Sequence, residues 1–380
     1  MLDRKLKFGM VGGAVNSFIG NVHVRAAQLD GYAELAAGCF SRDGEINRKT
    51  AEKYYLNKER VYKTYAEMAQ AEANRGDGID FAIIATPNNS HYEIAKAFLQ
   101  QGIHVVCDKP LSNKVEEALE LRDLAKERSL LLGVTYTNAG YPIIKQAKHM
   151  VENGEIGKII SVHCEYLQGH MLNRPISSKK GWRTNPDIGG KGCCIADIGV
   201  HVENLVSYIT GLDIEAVCAD LEAVRPDMVL DTSAQIMIKY KGGASGFYWC
   251  SQVAAGFRND LKIRIMGDRK SIEWSNMDPE NLIVRTQDEP KQVYSAGQGY
   301  LYPEVKKITR ISSGHPEGFY EAMAEIYRSF ELTLASKITS QDLEESSIYY
   351  PDTNDGIKGV LFIEKCVESS NKGVTWIKYC

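Results

Sequence analysis

Five short apolar runs, separated from one another by helical patterns, fill the first 135 residues and constrain the fold more than any other feature. The runs cover 5–11, 34–40, 79–85, 104–107 and 130–135, and the helical patterns cover 23–29, 51–55, 65–75, 92–101 and 115–128. The run at 79–85 (IDFAIIA) is almost wholly apolar, which is how a strand buried on both faces of a parallel sheet reads. Strands alternating with helices at these lengths give βαβ units, hence an α/β Rossmann domain with a doubly wound parallel sheet.

Such sheets bind ligands at the carboxyl ends of their strands, so the strand tips carry the functional signal. The first tip is Gly12-Gly13. A literal G-x-G-x-x-G pattern fails there, because alignment on Gly12 gives Gly12, Ala14 and Ser17. Small residues still let backbone N–H groups approach a pyrophosphate at a helix N-terminus, and Gly20 is read as opening that helix. The second tip is Ser41-Arg42-Asp43. An acid at this tip selects NAD through the ribose 2′-hydroxyl, whereas Ser and Arg accept the 2′-phosphate of NADP. Ser41 and Arg42 lean toward NADP, Asp43 leans against it, and a plain polar turn accounts for Arg42 equally well. The choice between NAD and NADP stays open. The later tips are Thr86-Pro87-Asn88-Asn89-Ser90-His91 and Asp108-Lys109-Pro110. Pro110 cannot continue a strand ladder and biases Lys109 away from helical geometry, so a lysine is held at a strand end.

The pattern changes after 136–142. A helix over 143–152 leads to an alternating strand over 158–168, a loop over 169–192 and a helix over 193–209. Six antiparallel strand candidates follow, at 214–224, 233–241, 244–252, 261–267, 271–275 and 281–286. This switch predicts two domains: 1–138 with the parallel sheet whose strand tips suit a dinucleotide, and 139–380 an α+β domain with a largely antiparallel sheet. The stretch 288–315 lacks a period and is expected to wrap the surface. Helices over 319–335 and 356–369 close the chain, the last a candidate to pack back on the first domain. Tyr240, Phe247 and Trp249 are placed on the open face of the second sheet, where apolar exposure marks an interface.

Lys plus Arg number 45 against 49 Asp plus Glu, a net charge of −4, which leaves no footprint for nucleic acid or an anionic membrane. The chain opens without an apolar leader and has no apolar run of spanning length. Nine cysteines without C-x-x-C spacing point to a reducing cytoplasm rather than a disulfide scaffold or zinc site.

Asp197 and His201 stand four apart at the start of a helix, where both face one side. An isolated pair of this kind is more often an ordinary helix face. Beside Lys109 and a dinucleotide sheet it acquires chemistry. Oxidising a secondary alcohol needs a hydride acceptor and a base for the hydroxyl proton, and histidine titrates in the right range. A metal set of Asp197, His201 and Glu203 is rejected, since neither H-x-x-x-H nor a paired-carboxylate spacing occurs. His315 and Glu317 read equally as site residues or as a helix cap.

The motifs VGG…FIG, ATPNNSH, GIHVVCDKPL, GWR and DIGVH occur in this order over nearly the whole chain. Together they resemble the glucose–fructose oxidoreductase/inositol dehydrogenase (Gfo/Idh/MocA) family, with Asp-Lys-Pro where the family usually has Glu-Lys-Pro. The resemblance implies an NAD(P)-dependent enzyme acting on CH–OH, with Lys109, Asp197 and His201 matching the family's lysine, Asp and His. It also implies a cofactor site of Gly12, Gly13, Ala14, Phe18, Ile19, Ser41, Arg42, Thr86, Asn88, His91, Asp108, Lys109, Trp182 and Arg183. For Trp182 alone, core packing is the commoner fate. Lys109, Asn138, Tyr141, Asp197 and His201 are the expected sugar contacts, with His201 as base, Lys109 as alkoxide partner and relay, and Asp197 as anchor. The expected substrate is a glucoside or related pyranose oxidised at C3, with inositol as the alternative. The expected assembly is a homo-oligomer, dimer or higher, without metal. A non-catalytic nucleotide-binding regulator of the same fold is the competing class, disfavoured by the presence of all three residues.

Overall fold

The computed structural model describes residues 2–173, 181–342 and 348–379; of the expected loop 169–192, positions 174–180 lie outside the described residues. Two compact units result, Met1–Gly140 with Phe319–Ile357, and Tyr141–Gly318 with Lys358–Cys380. No helix among the described residues is long and apolar enough to cross a membrane.

The first unit runs β1 (Leu6–Gly12), α1 (Phe18–Leu29), β2 (Ala33–Cys39), α2 (Gly44–Lys53), α3 (Tyr65–Ala73), β3 (Phe81–Ala85), α4 (His91–Gln100), β4 (His104–Cys107), α5 (Val115–Glu127) and β5 (Leu132–Val134). All strand pairs are parallel, in the order β2-β1-β3-β4-β5. Strand order reverses between β1 and β3, which opens a crevice at their carboxyl ends. Every residue of β3 is buried, as its unbroken apolar run requires. Two helix starts differ from expectation. α1 begins at Phe18, because the Ser17 side chain accepts the Gly20 N–H and caps it. α2 begins at Gly44 because Asp43 caps it, accepting from Glu45 and Ile46.

The second unit opens with α6 (Pro142–Glu152), β6 (Ile159–Leu167) and α7 (Pro186–Gly189). A π-helical turn (Ile195–Gly199) then runs into α8 (Val200–Thr210), where one continuous helix was expected. β7 (Ile214–Glu222), β8 (Ser233–Tyr240), β9 (Ser245–Ser251), β10 (Asp260–Gly267), β11 (Ser271–Ser275) and β12 (Asp278–Arg285) follow. The stretch 288–315, where no period shows in the sequence, holds β13 (Gln292–Ser295) and α9 (Pro303–Ile308). α10 (Phe319–Thr339) belongs to the first unit, and α11 (Thr353–Asn371) leads to β14 (Ile377–Lys378). The nine strands order as β13-β12-β11-β10-β6-β9-β8-β7-β14 and pair antiparallel except β6 with β9. No disulfide joins the described cysteines.

In the first unit, aromatic rings tie helix to sheet: Phe8 lies 5.5 Å from Phe81, Phe81 5.4 Å from Phe330 on α10, and Phe330 5.2 Å from Tyr350. Each such pair contributes roughly 0.5–1.5 kcal/mol beyond its buried area. α10 approaches so closely that a Cβ on Gly140 would meet the Ala322 carbonyl oxygen at 1.9 Å. In the second unit, period-two alternation sets the sheet faces. Ile236, Ile238 and Tyr240 are buried, whereas Met237, Phe247 and Trp249 are 46%, 42% and 37% exposed. Tyr240 therefore leaves the open-face set, and its phenol bonds the buried Tyr248 hydroxyl.

Candidate active site

In the first unit the β1 tip is built for close backbone approach. Gly12 and Gly13 sit at φ +82° and +68°, where an L side chain is strained. A Cβ on Gly12 would meet the Ala85 carbonyl oxygen at 2.4 Å, and one on Gly20 would meet the Gly13 Cα at 2.4 Å. Gly20 thus welds α1 onto the turn, the task that the glycine pattern had assigned to position 17. Ala14 follows in the turn, and Val15 N donates to Thr50 Oγ1 at 3.0 Å. The backbone cradle at the head of α1 fits a dinucleotide pyrophosphate. Gly20→Ala is expected to weaken dinucleotide binding about tenfold or more and to cost about 1–3 kcal/mol. Fluorescence titration with NADH and a melting curve check it; unchanged affinity removes this fit.

The other tips surround that turn. Phe18 is 73% exposed and stacks on Phe319 at 6.4 Å, with the half-buried Ile19 beside it. Ser41 Oγ accepts the Asp43 N–H at 3.1 Å and Arg42 is exposed. The Asp43 carboxylate is engaged as the α2 cap, so capping accounts for this acid without a ribose contact. Thr86 and Pro87 are half-buried and Asn88 is buried. His91 is also buried, its Nδ1 2.7 Å from the Pro110 carbonyl and its Nε2 2.9 Å from the Thr86 carbonyl. Burial pushes its pKa down. Its ring buttresses the β3 and β4 tips instead of facing solvent.

At the β4 tip, Asp108 N donates to Ile84 O at 2.9 Å. Asp108 Oδ1 accepts from Lys109 N at 2.9 Å and from Thr135 Oγ1 at 3.0 Å. Burial pushes the Asp108 carboxyl up, but His23, Lys109 and His91 outweigh it and hold it well below the usual carboxylate range. Asn138 lies in the buried turn Thr137–Gly140.

In the second unit the π turn is organised by Asp231. Its Oδ1 accepts from Cys193 N and its Oδ2 from Ile195 N, both at 2.7 Å. Asp197, two residues on, accepts Gln252 Nε2 at 2.9 Å and Arg183 Nε at 3.3 Å. The Arg183 guanidinium lies 4.3 Å over the half-buried Trp182 ring, so this tryptophan serves as a platform. The His201 ring meets Tyr166 edge-on at 6.2 Å. Burial, then the Asp197 charge, raises the Tyr166 pKa, keeping its phenol protonated. Tyr141 is buried, 5.4 Å from Trp274. Glu317 Oε1 accepts from Arg310 N at 2.5 Å and from Ile311 N at 3.3 Å, and His315 contacts Ser312, so both hold the loop before α10.

Asp231, Gln252 and Tyr166 were missed from sequence. The signal for the last two was strand-end position: β6 and β9 run parallel with Tyr166 opposite Cys250, and parallel strands collect ligands at their carboxyl ends. The pairing of β6 with β9 is not visible in the linear order. A carboxylate braced by an amide and a guanidinium can accept sugar hydroxyls, and an imidazole one turn along can move a proton.

Two family descriptions match this chain: "Oxidoreductase family, NAD-binding Rossmann fold" over residues 6–136 and "GFO/IDH/MocA C-terminal domain" over 144–273. The uncharacterized oxidoreductase YfiI of Bacillus subtilis is 34% identical, covering 100% of this chain and 98% of its own. Levoglucosan dehydrogenase of Pseudarthrobacter phenanthrenivorans is 31% identical, covering 77% of this chain and 78% of its own. The crystal structure of an inositol dehydrogenase homolog from Azotobacter vinelandii, complexed with NADH and myo-inositol, superposes with a TM-score of 0.93 at 35% identity. It covers 100% of this chain and 98% of that one. With both domains matched and a full-length relative above 30% identity, the chain belongs to the Gfo/Idh/MocA family of NAD-binding oxidoreductases.

Proposed function

We propose that this chain is an NAD-dependent dehydrogenase for one secondary hydroxyl of a pyranose or cyclic polyol. The observation that carries the reading is Asp197, braced by Gln252 and Arg183, on the same turn-and-helix segment as His201, in a family whose lysine is matched by Lys109. Gly12, Gly13 and the β3 and β4 tips would hold NAD, which would supply the hydride acceptor. The chain's own residues do the rest. His201 takes the hydroxyl proton on its imidazole, Lys109 Nζ stabilises the developing alkoxide and relays the proton, and Asp197 anchors a neighbouring hydroxyl. Asn138 and Tyr141 are the further sugar contacts in this reading.

Two substrates compete within the class. The full-length likeness to the homolog complexed with myo-inositol favours a cyclic polyol. The likeness to levoglucosan dehydrogenase favours a pyranose, with C3 of a glucoside as the expected position. Purified protein given NAD and a panel of myo-inositol, levoglucosan and methyl glucosides should show NADH absorbance rising with at least one. Cofactor binding with no turnover across polyols and sugars overturns the dehydrogenase and leaves the regulator.

The assembly proposed is a homo-oligomer joined through the open sheet face. Met237 pairs with Phe247 across β8 and β9, and Gln235 with Trp249, so the exposed apolar side chains are contiguous. Equilibrium sedimentation should give a dimer or higher form for the native chain, and smaller species for Phe247→Asp with Trp249→Asp. A native monomer rules the interface out.

A further inference from the structure

Beneath the lysine-bearing turn lies a line of buried polar side chains for which the substrate chemistry has no use. His23, in α1, and Tyr327, in α10, are both 0% exposed. Their rings meet edge-on, with Tyr327 Oη 2.6 Å from His23 Nδ1. Beyond them, His23 Nε2 faces Asp108 Oδ2 at 3.9 Å.

The direction of this line follows from hydrogen-bond chemistry. Burial raises the Tyr327 pKa far above its ordinary value, so the phenol keeps its proton and needs an acceptor. His23 Nδ1 is that acceptor. A ring nitrogen that accepts carries no hydrogen, which places the imidazole proton on Nε2. Nε2 makes no hydrogen bond of normal length, and the carboxylate of Asp108 stands in front of it. The 3.9 Å separation makes this an electrostatic contact. Asp108 Oδ1 is already occupied by the Lys109 amide and the Thr135 hydroxyl, so His23 acts on the other carboxylate oxygen. His91 in turn holds the carbonyl of Pro110, the residue after Lys109. Lys109 is therefore flanked by two supports, and one of them reaches back to α10.

We propose that Tyr327 and His23 are positioning residues for Lys109: the phenol fixes the imidazole tautomer, the Nε2–H orients Asp108, and Asp108 holds the Lys109 amide. The proposal rests on the dehydrogenase reading, since it is there that Lys109 acts on substrate. Packing alone is a poor account of the arrangement. An apolar pair of similar volume would avoid the cost of burying His23 and Tyr327, and the neighbouring core of α10 and β3 is made that way, with Phe330 against Phe81.

The test uses the full-length protein with NAD and the polyol or sugar that it turns over. Tyr327→Phe removes one oxygen and keeps the ring, so the fold is retained. Its kcat should fall about 10- to 100-fold, the effect of a small displacement of a reacting group, with KM for NAD and melting point close to native. His23→Gln keeps an N–H donor near the Nε2 position and should retain most of the native kcat, whereas His23→Leu should fall at least as far as Tyr327→Phe. Native kcat in Tyr327→Phe, or equal losses in His23→Gln and His23→Leu that track their melting points, overturns the proposal. A second readout needs no turnover. The imidazole 15N shifts of His23, measured with NAD alone, should report the Nε2–H form in the native protein and a mixture in Tyr327→Phe. An Nδ1–H form in the native protein refutes the proposal even if no polyol is oxidised, while absent turnover with the expected shifts refutes only the dehydrogenase.

Discussion

Lys109→Ala is expected to lower kcat about 100- to 10,000-fold, the range for losing a positioned proton-transfer or oxyanion-stabilising group, while NAD still binds and the melting point stays near native. The separation of these effects follows from how the turn is made. Its shape is fixed by bonds that the lysine side chain does not supply: Asp108 N to Ile84 O at 2.9 Å, Lys109 N to Asp108 Oδ1 at 2.9 Å, and His91 on the Pro110 carbonyl. The side chain itself is half-buried, so truncating it opens no core cavity. Lys109→Arg then divides the two roles given to this residue. A guanidinium holds its charge but does not release a proton. Substantial activity in Lys109→Arg assigns Lys109 to charge stabilisation and leaves His201 as the base; loss as deep as in Lys109→Ala assigns it the relay. Native turnover in Lys109→Ala would sink the mechanism outright.

The parts of this site differ in how far the sequence discloses them, and the reason is distance along the chain. β3 is legible because every side chain in Phe81–Ala85 is buried, so the run has no polar interruption to confuse. The Asp-Lys-Pro turn is legible because proline and a strand end leave few alternatives. α1 starts earlier than a reading of Gly20 as its opener suggests, because the Ser17 hydroxyl accepts Gly20 N at 3.2 Å as a cap. Tyr240 was put on the wrong face because the alternation was not counted from a buried neighbour; Ile238, two positions earlier, is 1% exposed. β13 and α9 carry too few residues for a period to show. They are held by contacts such as Tyr294 with Tyr300 at 5.6 Å and Tyr302 N on Gln146 Oε1 at 3.0 Å. Gln252, which braces Asp197, and Asp231 are the clearest cases. Gln252 lies 55 positions away and Asp231 binds the π turn from 36 and 38 positions away, so no local pattern could have announced them.

Asp231 supports the second large expectation, which concerns both stability and pH. Burial raises its carboxyl from 3.8 to about 6, while backbone N–H donors from Ile195 and Cys193 pull the other way. A carboxyl whose folded pKa lies above its unfolded value binds more protons when folded. Its favourable contribution is complete below pH 3.8 and is lost as pH rises through about 6. At 1.36 kcal/mol per unit the loss is about 3 kcal/mol between pH 4 and pH 8. Asp231→Ala removes this dependence and leaves the Cys193 and Ile195 N–H groups without their acceptor, at about 1–3 kcal/mol for each buried donor. The variant should therefore be less stable than the native chain, and the gap should narrow as pH rises. Urea unfolding of both proteins at pH 5 and pH 7.5 measures it, and a gap that widens with pH contradicts the assignment. The same change loosens the start of the π turn two residues before Asp197, so kcat should fall even where the variant is fully folded. A variant that keeps native kcat after losing this anchor would show that Asp231 serves the fold alone and that Asp197 and His201 hold their places without it.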